Sequence, residues 1–298
     1  GQRRQSRSHF GSSSFVLRLP HPQAMPNTGQ VEVELLLIRH GESENNVLMH
    51  EVMGPIKAKG SDASAEEKKE AEERWLASRY DDPPLSAVGS TEAQQLATQW
   101  VAQGRVKPGA RVFCSPFLRT LQTVKPLAEQ LGLTVVVHPD IFETGGVYTR
   151  EAGGVRGGPG KCMSAEEIKA QFPFCDVHML PASGQWYTKT WENDRTASGR
   201  IGAVAKWLLE AEQVEKGGQM IIVCHAHFID FLLKHLMGIP DETVDDDPTV
   251  MVNIMDRKWV LHSPNSGVAS LILRSGGKVV LKSFGDVSHL GPGVQQRM

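Results

Sequence analysis

Residues 35–46, LLLIRHGESENN, run from a purely aliphatic tetrapeptide straight into Arg39, His40 and Gly41, followed by small polar residues. Four consecutive branched aliphatics read as a strand buried on both faces. A strand that ends on an arginine and a histidine does not end as a core element, because arginine is almost never buried without a partner. Gly41 lets the chain turn sharply and brings backbone N–H groups close to whatever lies there. A guanidinium, an imidazole and free N–H groups together suit a phosphate or a carboxylate. Taken alone, these residues specify an anion site and nothing finer.

Working outward, strand-like and helix-like segments alternate from Val31 onward. Strands are expected at 33–38, 111–114, 133–138 and 219–224. A helix is expected over TEAQQLATQWVAQG, where Leu96, Ala97, Trp100 and Val101 have helical spacing and Gly104 supplies a stop. The segment 117–131 reads as a second helix closed by Gly132, with Pro126 expected to kink or interrupt it. HFIDFLLKHLMG is a third, ending at Gly238, and VASLIL and KVVLKSF flank RSGG as a hairpin. Alternation of this kind implies an α/β fold, a three-layer α/β/α sandwich with a mostly parallel central sheet and a small variable cap. Ligands collect beyond the carboxyl ends of the strands in such sheets. The run QMIIVC also ends on a histidine, His225, so two distant strands each deliver one.

Two insertions break the pattern, at about 50–80 and 145–195. Part of the first, residues 57–79, reads as a charged helical excursion, and residues 145–160 as a mobile loop too rich in glycine for regular structure. The domain is placed at 31–290. Residues 1–30 carry Arg3, Arg4, Arg7 and Arg18 and no acid, and read as a disordered or targeting tail. The expected location is cytoplasmic, with organellar import the alternative that this basic tail carries. A net charge of −2 gives no electrostatic reason to expect nucleic acid, and no apolar run is long enough for a membrane span. Four cysteines without metal-ligand or disulfide-framework spacing fit a reducing compartment, with Cys114 and Cys224 expected as small buried thiols.

RHGES after an aliphatic strand resembles the signature of the histidine phosphatase superfamily, which includes the cofactor-dependent phosphoglycerate mutases. The segments DDPPLSAVGSTEA, CSPFLRTLQT and IIVCHAHFIDFLL follow in that family's order, and NSGVASL extends the match. The resemblance implies a nucleophile at His40 that forms a phosphohistidine, with Arg39, Arg119 and His225 holding the phosphoryl group. It implies phosphate contacts from Asn46, assigns Ser43 and Ala226 to substrate binding, and needs no metal or cofactor. Ala226 departs from the glycine frequent in the family after the second histidine. For the proton donor, VVVHPDIFETGG offers Asp140 and Glu143, and the family's context favours Glu143. The expected activity is a metal-independent phosphomonoesterase acting on a phosphorylated small molecule or a phosphoprotein. The alternatives are a phosphoglycerate mutase and a protein-binding member of the same fold.

Arg150, Arg156 and Lys161 are candidates for a second anionic group of the substrate, with a solvated basic loop the competing reading. HAH at 225–227, with Asp230 nearby, offers a metal site instead, since positions two apart on a strand share a face. A helix beginning at this point, and the lack of a third ligand by spacing, weigh against it.

Overall fold

The computed structural model describes residues 31–150, 156–210, 213, 216–239 and 260–291; the proposed tail, 1–30, lies outside them. A seven-stranded sheet forms the centre. In chain order its strands are β1 (Glu32–Arg39), β2 (Arg111–Cys114), β3 (Val135–Val137), β6 (Cys175–Asp176), β7 (Gly218–Cys224), β8 (Val268–Arg274) and β9 (Lys278–Asp286). Their spatial order is β6-β3-β2-β7-β1-β8-β9. All pairings from β6 to β1 are parallel, and the hairpin β8–β9 adds antiparallel strands at one edge.

The alternating direction of side chains on β1 explains its continuous aliphatic run. Leu36 and Ile38 enter one apolar layer with Leu96 and Trp100 of α3 (Ala87–Ala102), Leu121 and Leu127 of α4 (Leu118–Leu131) and Ile168 of α5 (Ala165–Gln171). Leu35 and Leu37 enter the other, with Ile201 and Leu208 of α6 (Asp194–Leu209) and Phe228 and Leu232 of α7 (Ala226–Met237). Each such side chain, fully buried, contributes about 1.5–3 kcal/mol relative to exposure. The layers therefore hold β1 rigidly in the middle of the sheet, with Arg39 at its carboxyl end.

Pro126 does not interrupt α4, which runs from Leu118 to Leu131. Proline removes one helix hydrogen bond at a cost of about 3 kcal/mol. Val124, Leu127 and Ala128 bury on either side of it and offset that loss. Gly132 and Gly238 close α4 and α7 with φ of 62° and 66°, the left-handed cap expected of them.

The first insertion is a helix pair, α1 (Glu44–Lys59) and α2 (Ala65–Ser78), begun by capping boxes at Ser43 and Ser64. The glycine-rich stretch is not wholly irregular. Strands β4 (Tyr148–Arg150) and β5 (Arg156–Pro159) pair antiparallel, while residues 151–155 lie outside the described set. Val147 and Tyr148 are buried and anchor β4 despite the glycines around it. Not all of 145–195 is cap, because α5 packs into the core and β6 forms the sheet edge beside β3.

Candidate active site

The parallel register of β1 and β7 sets Arg39 opposite Cys224, so both strands end at one level and the next residue of each is a histidine. The His40 N–H donates to the Cys224 carbonyl at 3.0 Å, and the two imidazole rings lie 5.3 Å apart, edge to face. Arg119 arrives from the first turn of α4, its guanidinium donating to His225 Nδ1 at 3.1 Å. These four residues, all predicted for the site, do converge, and all are buried.

The hydrogen-bond partners fix the tautomers. His40 Nδ1 lies 2.7 Å from the Gly41 carbonyl, which only accepts, so Nδ1 carries the proton and Nε2 has the free lone pair. At His225 the guanidinium only donates, so Nδ1 is the acceptor and Nε2–H faces the Ser115 hydroxyl at 2.8 Å. Burial, then the charges of Arg119 and Arg39, hold the His40 imidazole well below its usual pKa. Burial, Arg119 and then His40 do the same at His225. Both rings are therefore neutral near pH 7. Burial brings the guanidinium pKa values of Arg39 and Arg119 down to about 10, which leaves both cationic.

The backbone around His40 is clamped from three sides. Arg39 Nη1 donates to the Ser263 carbonyl at 2.7 Å, the Ser266 N–H to the His40 carbonyl at 3.1 Å, and the Gly41 N–H to Thr123 Oγ1 at 3.0 Å. Thr123 bonds in turn to the Arg119 carbonyl at 2.7 Å, tying the loop to the helix that carries the second arginine. Gly89 lets α3 approach this loop: a Cβ there would sit 1.9 Å from the Glu42 carbonyl oxygen. Gly89→Ala should cost about 3 kcal/mol or more, because backbone rather than a flexible side chain must move. Chemical denaturation checks this, and a loss below 1 kcal/mol would show that the approach is easily relaxed.

Ser43 and Asn46 form the capping box of α1: Ser43 N and Oγ both donate to Asn46 Oδ1, at 3.0 and 2.9 Å. Ser43 is thus committed to the helix, and the Asn46 amide keeps only its NH2 for a ligand. Ala226 opens α7, where helix N–H groups lack intrahelical partners. Two of those groups go to Glu143, which accepts from Phe228 N at 3.1 Å and His227 N at 3.4 Å, and from Thr144 N at 3.0 Å. Glu143 thereby caps the helix that follows His225 and is close enough to Arg39 and Arg119 to stabilise both cations. Asp140 is exposed, and its carbonyl accepts from Arg200.

Two supporting residues were not singled out from the sequence. Arg200 forms a two-pronged pair with Glu192, at 2.9 and 2.6 Å, and also bonds the carbonyls of Asp140 and Phe142, fixing the loop that presents Glu143. Nothing in the local sequence of α6 marks it. Asp82 accepts the Leu118 N–H with both carboxylate oxygens, at 3.0 and 3.2 Å, at the start of a helix whose N-cap Phe117 offers no side-chain bond. Burial pushes Asp82 up to about 7, against the pull of Arg119. A raised carboxylate pKa favours the folded state at low pH, a contribution lost as pH rises from about 4 through 7. The stability advantage of wild type over Asp82→Asn should therefore shrink between pH 5 and pH 8. Urea titrations at the two pH values test this, and a constant difference would contradict it.

The metal reading of HAH separates into unrelated contacts. His227 Nδ1 lies 3.2 Å from Thr144 Oγ1, and Asp230 pairs with Lys234 at 2.7 Å and accepts the Leu261 N–H at 2.8 Å. Both nitrogens of His225 are already engaged by Arg119 and Ser115. Among the described residues no group of three or more His, Cys, Asp or Glu side chains has a metal-binding arrangement, and no helix is long and apolar enough to cross a membrane. All four cysteines are free and buried.

The fold has solved counterparts. The ecdysone phosphate phosphatase from Bombyx mori, in complex with tungstate, is 18% identical, with a TM-score of 0.51, over 84% of this chain and 92% of that one. A phosphoserine phosphatase mutant from Entamoeba histolytica is 19% identical, with a TM-score of 0.46, over 87% and 99%. A phosphoglycerate mutase from Bacillus anthracis is 17% identical, with a TM-score of 0.48, over 87% and 96%. No curated protein is significantly similar in sequence. A family model described as histidine phosphatase superfamily (branch 1) matches residues 35–265, a span holding both strand-end histidines, Arg39 and Arg119. The chain belongs to the histidine phosphatase superfamily.

Proposed function

We propose that the protein is a phosphomonoesterase that works through a phosphohistidine on His40, without a metal. The observation that carries this is the pairing of a neutral His40, its Nε2 lone pair free, with two buried cations, Arg39 and Arg119. Phosphoryl transfer proceeds through a loose, charge-rich transition state, so positioning and fixed positive charge account for most of the catalysis. His40 Nε2 forms the N–P bond as the ester P–O bond breaks, and Glu143, carrying a proton in the substrate complex, hands it to the departing oxygen. Arg39 and Arg119 hold the phosphoryl oxygens, His225 orienting the Arg119 guanidinium through Nδ1, with the Asn46 amide NH2 and the Ala226 N–H alongside. Water then attacks phosphorus as the Nε2–P bond breaks and returns its electron pair to His40, Glu143 takes the water's proton, and inorganic phosphate leaves.

The substrate class is a phosphorylated small molecule, with a phosphoprotein the alternative. The test uses a phosphomonoester labelled in its phosphoryl group and a rapid quench. An acid-labile, base-stable phosphoprotein should form and decay to inorganic phosphate, also in the presence of chelator. Label passing wholly to a second organic hydroxyl, with no inorganic phosphate, would make the enzyme a mutase.

A further inference from the structure

One buried cation has no place in that scheme. Arg79 caps the C-terminus of α2 in the cap, and its side chain is only 7% exposed. Its guanidinium carbon lies 4.1 Å from the Tyr148 ring centroid and 5.6 Å from that of Trp75, and Nη1 donates to the Tyr148 carbonyl at 3.0 Å. Aromatic faces hold an arginine in place without neutralising it. Its nearest carboxylate, Asp81, is 3.9 Å away, too far for a hydrogen bond. Its Nε is buried with no partner among the described residues, and so is the Nε1 of Trp75 beside it. An unpaired buried donor costs about 1–3 kcal/mol, so two in one cluster call for an acceptor that the described residues do not supply.

The neighbouring residues fix where this cluster lies. Tyr80 is bonded both ways to Asn45 in the first turn of α1, each bond 2.9 Å. Asp82 is bonded to the first residue of α4, directly before Arg119. The segment 79–82 therefore bridges the two elements that flank the phosphoryl pocket. Arg79 and Tyr148 are both near enough to perturb the Arg119 guanidinium. A phosphoryl dianion is already matched by Arg39 and Arg119, and a third guanidinium beside them exceeds what it requires.

We propose that Arg79, stacked on Tyr148, binds a second oxyanion of the substrate, a carboxylate or another phosphate, beside the phosphoryl pocket, and so sets substrate preference. The proposal rests on the phosphoryl-transfer reading of that pocket. It replaces the sequence-level candidates for this role: Arg156 lies 3.6 Å from Glu72 with its guanidinium 5.2 Å from the Trp191 ring, Lys161 is exposed, and the Arg150 side chain lies outside the described set.

Three probes distinguish the possibilities: ethyl phosphate, 2-phosphoglycolate and ethylene glycol bisphosphate. The first lacks a second anion, and the other two carry a carboxylate and a phosphate in its place. Wild type should favour at least one of the latter over ethyl phosphate in kcat/KM. Arg79→Met, which keeps length and stacking but removes charge, should lower that ratio by about 10- to 100-fold, the range for a hydrogen bond to a charged group. Arg79→Lys should retain most of it, and melting temperatures check that both variants fold. Which acidic probe loses more identifies carboxylate or phosphate as the ligand. An unchanged ratio in Arg79→Met, or no preference in wild type, would overturn the proposal. Calorimetric binding of the same probes separates it from the hydrolytic reading: if nothing turns over, loss of selective binding in Arg79→Met still supports it, and unselective binding by wild type still sinks it.

Discussion

Replacing His40 with alanine lowers kcat by about 10⁵–10⁶-fold, the scale of loss when a covalent nucleophile is removed, and leaves no acid-labile label on the protein. The effect is large because no second group in the pocket can take the phosphoryl. His225 Nδ1 is occupied by the Arg119 guanidinium, and its Nε2 carries a proton toward Ser115. The fold should tolerate the change. The side-chain hydrogen bond of His40 is to its own neighbour, the Gly41 carbonyl, while the loop is held by backbone and by Arg39 and Thr123. A stability loss of about 1 kcal/mol is expected. Quench-flow labelling together with thermal melting checks both parts, and label persisting in the folded variant would remove His40 from the nucleophile's role.

Glu143→Gln should lower kcat/KM by about 10²–10⁴-fold on an alkyl phosphate, the usual worth of general acid catalysis, and far less on nitrophenyl phosphate. An alkoxide is too basic to leave without a proton, whereas nitrophenolate nearly can. Gln keeps one acceptor oxygen for the Phe228 and Thr144 N–H groups, which share Oε1, and gives up only the longer 3.4 Å bond from His227 N–H to Oε2, so most of the α7 cap survives and the substitution chiefly removes the proton. His225→Ala, by contrast, frees the Arg119 guanidinium from its partner and should impair both substrates alike. Equal losses on the two substrates in Glu143→Gln would exclude proton donation. The role would then reduce to capping α7, with Asp140 next in line despite its exposure.

Much of this was legible along the chain. Continuous aliphatic runs at 35–38 and 220–224 can be satisfied only by burial on both faces, which specifies a covered parallel sheet, and their termination on Arg39, His40 and His225 marks its carboxyl edge. Local chemistry also carried the stops at Gly132 and Gly238, because each depends on residues within one helical turn, whereas Ser43, expected at the substrate, caps α1 instead. Where a local rule competed with burial, burial prevailed: α4 continues through Pro126, and β4 pairs with β5 amid glycines because Val147 and Tyr148 are anchored in the interior.

The sequence by itself determined the central strands, their polarity and the residues at two of their ends, Arg39, His40 and His225, since strand burial and strand ends are set by short, contiguous patterns; Arg119, on a helix, followed only from the family resemblance. Only the tertiary structure decided what those residues can do. The tautomers of His40 and His225 depend on a carbonyl and a guanidinium, the second brought from 106 residues away. The positions of Glu143 and Asp82 depend on helices begun elsewhere in the chain, and Arg79 becomes a candidate only because Tyr148 of another segment lies beneath it. Electrostatics and hydrogen bonding act through space over a few ångströms, and sequence separation carries no record of that distance.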